Sequence, residues 1–345
     1  MTNQHEITKR MPLLNREGNL TEPGWARGLL WDYHRPDIRA SGMRIKEWDY
    51  YFVSNGHIGL ALTIADNGYM GLDSVSYLDF DEKWEITKSP MRLLPMGKTA
   101  LPETSAAGSS EIARGGYALA FYHDDDGTRK LTFHMDKFRG KDAIEGMISL
   151  SDEPAESMVI ATPFEKSGHF YYNQKINCMR ASGWIELGGA RVELDPKTWF
   201  AVLDWGRGVW TYHNTWYWGS ASGEVDGVPF GWNIGYGFGD TSAASENVLF
   251  YGGKIHKLSQ VRFEIPMQDG KENYLAPWRF SSDDGRFEMA FTPILNRAAY
   301  TSVGVIKSDQ NQVFGRFTGT AALDDGTVLQ VNDFFGFAEK VENKW

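Results

Sequence analysis

Residues 48–68 read WDYYFVSNGHIGLALTIADNG, and this stretch decides the fold class. Ile58, Leu60, Leu62 and Ile64 alternate with small residues, which is the period of two expected of a strand with one apolar face. Asn55-Gly56 stands between that run and WDYYFV and supplies the backbone freedom of a tight hairpin turn; Asp66-Asn67-Gly68 repeats the signal. A β-meander starts here. Downstream, GYALAFYH, the turn DDDG and LTFHMDKF continue it, with Leu131, Phe133 and Met135 on one side of a strand and Thr132, His134 and Asp136 on the other. An antiparallel sheet with one apolar and one polar face, extended by AIEGMISL and SMVIATPF, curls into a barrel or half-barrel. Between these runs, Ser89 to Arg114 is rich in Pro, Ser, Gly and Ala and is expected to be a long loop over the mouth of whatever the strands enclose.

Further along, His169 to Leu194 carries strand signal with a Gly188-Gly189 turn, and the composition shifts at Asp195-Pro196. The second half then repeats the style of the first, with Gly-Gly or Asp-Gly turns about every ten to twelve residues, as an all-β barrel expects. At 345 residues the chain exceeds what one core usually organises. The expected architecture is all-β: two tandem antiparallel β-barrels with few short helices. Residues 1–194 hold an N-terminal wrap and the first barrel, and residues 195–345 hold the second. The first forty residues, polar apart from LLWDYHRP at 29–36, are expected to wrap the outside.

Composition narrows the function. The chain is 14% aromatic, with 13 Trp and 37 Gly, which favours β-structure with tight turns. A net charge of -10 argues against nucleic acid or anionic lipid as a partner, because both need a basic face. Cys178 is the only cysteine, so no internal disulfide is expected and a reducing compartment is the simple reading. The first twenty residues lack the apolar segment of a signal peptide, and no run approaches the roughly 20 apolar residues of a spanning helix. The expectation is a cytoplasmic protein that takes a small-molecule ligand, with no membrane span and no prediction of oligomeric state.

The chemistry concentrates between Trp199 and Asp240. WFAVLDWGRGVWTYHNTWYWGSASG and FGWNIGYGFGD crowd Trp and Tyr between glycines and thread Asp204, Arg207, His213 and Asn214 through them. Aromatic walls with a few polar groups are the usual lining of a small-molecule pocket. Asp204 and His213 are the candidate catalytic residues, and Arg207, Trp210, Tyr212, Asn214, Trp216, Trp218, Trp232 and Tyr236 the candidate ligand-binding ones. A carboxylic acid with its pKa raised by burial can protonate an alkene, and aromatic faces can stabilise the cation formed. The plainer readings are an Asp204–Arg207 ion pair fixing a turn, a structural His213, and tryptophans that simply pack a barrel. The glycines of GWNIGYGFGD belong to a strand in which Trp232, Ile234, Tyr236 and Phe238 alternate, so they are not a phosphate loop. Asp283-Asp284 and Asp324-Asp325 each precede a Gly and read as hairpin turns rather than hydrolytic pairs. The histidines show no metal-ligand spacing, no Ser sits in a GxSxG elbow, and no metal or other cofactor is implied.

LDWGRGVWTYHNTWYWGSASG, GYGFGDTSAASENVLFY, PWRFSSDDGRFEMAFTPI and GTAALDDGTVLQVNDFFGFAEKVENKW resemble a bacterial family known as domain of unknown function 2804. More distantly, the chain is similar to tandem lipocalin-like proteins that include carotenoid hydratases (hydroxyneurosporene synthase) and AttH-like proteins. That resemblance implies lipocalin-like barrels. It places His213, Asn214, Trp216, Trp218 and Gly219 in the clan's central motif, with Asn214 and Thr215 standing where an Asp-His pair is expected. Three functions stay open: an acid-base enzyme of the hydratase, cyclase or isomerase type on an apolar or isoprenoid-like molecule, a non-catalytic carrier, and a carbohydrate-binding or carbohydrate-active protein. Arg207, Asn214, Thr215 and Asn233 favour the last.

Overall fold

In a computed structural model, residues 4–124, 126–303 and 306–344 are described. Residues 1–3 of the N-terminus, Asp125 of the DDDG turn and Trp345 of the C-terminal motif lie outside them. The fold is all-β, two lipocalin-like antiparallel barrels in tandem, with Arg35–Asp37 and Gly42–Arg44 as short 3-10 turns. No helix among the described residues is long and apolar enough to cross a membrane.

The meander forms as its turns dictate. Ile45–Ser54, Ile58–Asp66, Met70–Asp79 and Trp84–Lys88 are consecutive antiparallel neighbours, and Gly56 and Gly68 take φ of 81° and 78° at the turns. On the other side of Ile45–Ser54 the first sheet continues through Phe200–Val209, Phe170–Leu187, Asp142–Ser151, Arg129–Arg139, Tyr117–His123 and Gly108–Arg114. Phe200–Val209 is thus central to the first sheet, whereas a junction at residue 195 assigns it to the second half. It is held there by hydrogen bonds to strands on both sides, Val209 pairing with Phe170 and with Ile45. The change of sheet falls between Val209 and His213, where the next strand, His213–Val225, enters the second sheet. That sheet runs in the order Lys254–Lys257, Val248–Tyr251, Val228–Tyr236, His213–Val225, Val328–Lys344, Ile306–Ala322, Phe287–Val303, Trp278–Ser282 and Val261–Glu264. Asp283-Asp284 and Asp324-Asp325 sit in its hairpin turns, ahead of Gly285 and Gly326 with positive φ.

Both barrels are filled. In the first, Leu62, Ile64, Tyr172 and Trp205 are buried together with Arg207, whose Nη1 donates to Asp49 Oδ1 at 3.0 Å and whose Nη2 donates to Pro102 O at 2.8 Å. The void lined by Asp49, Ser110, Arg129 and Trp205 measures about 20 Å³, room for a single water. Leu101 and Pro102 of the Pro/Ser/Gly/Ala segment close this end, but the segment is a loop only in its middle, since Met91–Leu93 and Gly108–Arg114 pair as strands. The first forty residues do more than wrap the outside. Trp31 and Tyr33 enter the first core, and the Tyr33 hydroxyl donates to Glu47 at 2.7 Å, because their aromatic bodies bury where the polar residues around them do not. In the second barrel, Trp232, Trp278, Phe287, Phe317 and Phe334 fill the interior. Two further apolar clusters join the barrels, one around Tyr171, Trp210, Phe238 and Phe250, the other around Phe52, Phe80, Trp218, Phe314 and Phe337.

Candidate functional site

Strand parity divides the aromatic stretch between core and cleft. In Phe200–Val209, the odd-numbered Leu203, Trp205 and Val209 belong to the first core, with Arg207 fully buried among them. The even-numbered Val202 and Asp204 face the second sheet instead. Gly206 and Gly208 share that outward face, and Gly206 stands opposite Trp48 on the neighbouring strand. A Cβ at Gly206 would lie 1.9 Å from Trp48 Cζ2, so only a glycine lets the indole lie across the strand. Gly206→Ala is expected to cost about 1–3 kcal/mol by overpacking and to displace Trp48 from its stack on Tyr171, where the ring centroids are 6.2 Å apart. A thermal melt superimposable on that of the wild type would show that the indole is not held there.

Register then lines up one rung across each sheet. Lys175, Asp204, Tyr50, Thr63 and Ser74 are directly opposite one another on five successive strands of the first sheet. Arg297, Gln312, Glu339 and Trp218 are opposite one another on four strands of the second. The two rungs face each other. Lys175 Nζ lies 4.0 Å over the Trp218 ring, Tyr50 meets Trp218 edge-on at 5.9 Å, and Arg297 Nη1 donates to Ser76 Oγ at 2.8 Å. Between them is a cavity of about 310 Å³, at the lower end of the range for small-molecule sites. One end is an aromatic box in which Phe238 meets Trp210 at 4.9 Å and Trp216 at 5.4 Å, and Trp48 meets Trp210 at 5.1 Å. The opposite end carries Thr63, Ser74, Thr87, Ser89, Arg297 and Gln310.

The middle of the cavity holds the titratable groups. The Asp204 carboxylate accepts from Lys175 Nζ at 2.8 Å and from Asn173 Nδ2 at 2.6 Å. The Glu339 carboxyl accepts from Trp216 Nε1 at 2.7 Å and Gln312 Nε2 at 3.0 Å. Burial pushes its pKa up to about 7, with Asp204 acting in the same direction and the Trp216 hydrogen bond, Arg297 and Lys175 acting against it. Glu246, beside Asn233, is likewise raised, chiefly by burial and further by Asp204. Burial pushes the Tyr50 hydroxyl up to about 12. That hydroxyl lies beside the Gln312 amide without completing a hydrogen bond, and Gln312 Oε1 is also buried and unsatisfied. A carboxyl with a raised pKa, an ion-paired carboxylate and two open hydrogen-bonding positions therefore converge on one largely apolar cavity. Such a set can give a proton to a bound molecule and take one from it.

The structure brings Asp204, Trp210, Trp216 and Trp218 to this cavity. Arg207 lies inside the first barrel, bound to Asp49 rather than to Asp204, because residues three apart on a strand face opposite ways. Trp232 lies inside the second barrel, and Tyr236 packs against that core, stacked on Tyr217 at 4.4 Å. Tyr212 and His213 are exposed at the strand entrance, and Asn214 donates to Thr211 O at 3.1 Å. Of the residues that favour a sugar, Asn233 is also engaged, accepting from Trp218 Nε1 at 2.7 Å and donating to Glu246 O at 2.9 Å. Lys175, Tyr50, Arg297, Gln312, Glu246 and Glu339 are cavity residues that lie outside the aromatic stretch. The sequence does signal Glu339: in FFGFAEK it continues the alternate positions of Phe335 and Phe337, a carboxylate in line on an apolar face. Among the described residues, no group of three or more His, Cys, Asp or Glu is placed to hold a metal ion.

A family model for DUF2804, a domain of unknown function, matches residues 4–345. The chain belongs to this family. No curated protein matches it. Among solved structures, this DUF2804 chain is similar to an AttH-like protein from Nitrosomonas europaea, with a TM-score of 0.53 and 13% identity over 87% of this chain and 92% of that one. It also aligns with kievitone hydratase from Nectria haematococca, with a TM-score of 0.49 and 9% identity over 97% and 98% of the two chains. At these identities, the AttH-like match establishes the tandem-barrel fold of the DUF2804 chain and nothing about its chemistry.

Proposed function

We propose that the cleft between the barrels binds a compact, largely apolar small molecule and that the chain's own side chains catalyse proton transfer on it, in a hydration, dehydration or isomerisation. The observation that carries this reading is Glu339, a buried carboxyl whose pKa is pushed up to about 7, on the wall of a cavity whose other wall carries the Asp204–Lys175 pair. A general acid works best when its pKa lies near the operating pH.

For hydration, the π pair of a carbon–carbon double bond takes the proton from Glu339, leaving a cation at the second carbon and a carboxylate at Glu339. The faces of Trp48, Trp216 and Trp218 stabilise that cation, each by about 0.5–2 kcal/mol. A water lone pair then forms the C–O bond, and Asp204 takes the proton that water loses. Return of that proton to Glu339 through solvent closes the cycle, and the same steps reversed are a dehydration. With a volume of about 310 Å³, the cavity suits a ligand of one or two rings or a short isoprenoid better than a long polyene.

The test is incubation of a small-molecule cell extract with the protein in heavy water, followed by mass spectrometry. A metabolite that gains or loses one water, or acquires carbon-bound deuterium, with the wild type and not with Glu339→Gln is the expected result. No such metabolite would overturn the catalytic reading. A carrier role is the second reading, favoured by the aromatic box, which encloses an apolar body without needing chemistry; its signature is a molecule that co-purifies and returns unaltered.

A further inference from the structure

We propose that Arg297 receives an anionic end of the cleft's ligand, so that the ligand is an apolar acid: a ring or short chain carrying a carboxylate or comparable oxyanion. This inference rests on the reading of the cleft as a ligand site. The buried arginines elsewhere in the molecule have carboxylate partners, Arg92 with Asp73 at 2.7 Å, Arg129 with Glu153 at 2.7 Å and Arg207 with Asp49 at 3.0 Å. Arg297 differs from them. It is half-buried, it lines the cavity, and its Nη1 donates to the neutral Ser76 hydroxyl at 2.8 Å. No carboxylate of the described residues lies within 4.0 Å of it. A guanidinium offers five donors in a planar fork that matches an oxyanion bidentately, and most of that fork is unused by the protein.

The surroundings suit the same group. Ser74 and Ser89 hydroxyls lie 2.9 Å apart and Thr87 Oγ1 donates to Ser76 Oγ at 2.9 Å, so small hydroxyls cluster at the polar end, and Ser76 and one of the Ser74–Ser89 pair keep a hydrogen to donate. Glu85, the carboxylate that also lines this end, is hydrogen-bonded by Thr87 at 2.8 Å. Along the rung, Arg297 pairs with Gln312 and Gln312 with Glu339, which places the backbones of the cation and the proton donor two strand spacings, about 10 Å, apart. Holding the anion at Arg297 thus fixes how far into the cleft the apolar body reaches and which of its atoms meets Glu339.

A matched pair of dyes tests this. 8-Anilinonaphthalene-1-sulfonate and N-phenyl-1-naphthylamine share one apolar skeleton, and only the first carries an anion. Fluorescence titration should show the sulfonate binding the wild type at least about tenfold tighter than the neutral dye. Arg297→Gln should abolish that preference by weakening the sulfonate about tenfold while leaving the neutral dye within about twofold, and Arg297→Lys should retain part of it. Thr63→Trp, which fills the cavity from the first sheet, should remove binding of both. Equal affinities for the two dyes, or an Arg297→Gln variant that weakens both alike, would overturn the anion subsite and leave the cleft standing. Undiminished binding of both dyes to Thr63→Trp would overturn the cleft reading itself.

Discussion

Asp204→Asn is expected to destabilise the protein by about 3–5 kcal/mol, the usual consequence of leaving a buried charge without its partner. The charge left behind is Lys175, whose side chain is 3% exposed and whose Nζ lies 2.8 Å from the Asp204 carboxylate. Asparagine preserves the shape and can keep its contact with Asn173, but it has no charge to offer the ammonium. The remaining support is the Trp218 face at 4.0 Å, worth about 2 kcal/mol at best, and the longer-range attraction of Glu246 and Glu339, neither of which is ion-paired with the ammonium. Arg207 does not suffer, since it is bound to Asp49 inside the barrel. The double variant Asp204→Asn with Lys175→Met should therefore regain most of the lost stability, because the expensive element is the orphaned ammonium and not the missing pair. Urea unfolding of the two single variants and the double variant measures the coupling. If Asp204→Asn unfolds with the wild type, the pair does not secure Lys175 in the cleft.

How far the sequence discloses this molecule follows from what a period of two can and cannot say. It reveals strands, and the Asn-Gly and Asp-Gly turns reveal their order, so the meander from Ile45 to Asp79 and the all-β class are legible directly. It does not reveal which of two faces is core when both carry large apolar groups. In WFAVLDWGRGVW, the faces hold Leu203, Trp205 and Val209 on one side and Val202, Asp204 and Trp210 on the other. Only pairing in three dimensions assigns the first set to a barrel and the second to the cleft. The same ambiguity places Trp232 and Tyr236 with Trp216 and Trp218 in a single aromatic crowd, although the structure sends them to opposite faces of the second sheet. The junction shows the limit in another form. Asp195-Pro196 is a real turn, with Thr198 N and Trp199 N both donating to Asp195 O, but a turn does not announce which sheet the next strand joins.

One pattern in the meander carries more than it first shows. Leu60, Leu62 and Ile64 fill the first barrel, while Ala61, Thr63 and Ala65 between them face the second sheet. Small residues there leave the space that the cavity occupies. The rungs themselves are long-range facts: Glu339 and Trp218 are neighbours through strand pairing across more than a hundred residues of chain, and no local window contains both.

Glu339→Gln is expected to separate from the wild type as a function of pH. The folded carboxyl titrates at about 7 against an ordinary value of 4.5, so folding favours the protonated form and the difference corresponds to about 3 kcal/mol. Below the unfolded value both states are protonated, and the group's stabilising contribution is fully present. As pH rises, the unfolded chain loses its proton first. The contribution then declines through the window from about 4.5 to 7 and is gone above the folded value. Glutamine cannot lose a proton, can still accept from Trp216, and can give the unsatisfied Gln312 Oε1 a donor if that amide turns. The stability of the variant minus that of the wild type should therefore rise by about 3 kcal/mol between pH 4.5 and pH 8, whatever its value at low pH. Taking this difference removes the parallel titration of Glu246, which both proteins share. Turnover should move the opposite way. The wild type should lose activity as pH rises past about 7, and the variant, unable to supply the proton, should fall by about 10²–10⁴ at every pH. Urea melts at four pH values, set beside the heavy-water assay, read both consequences from one substitution. A pH-independent stability difference would place the Glu339 pKa in the ordinary carboxylate range and remove it as the acid. The expected pH-dependent difference with undiminished turnover would instead leave Glu339 as a buried carboxyl of the cleft wall and remove it as the proton donor.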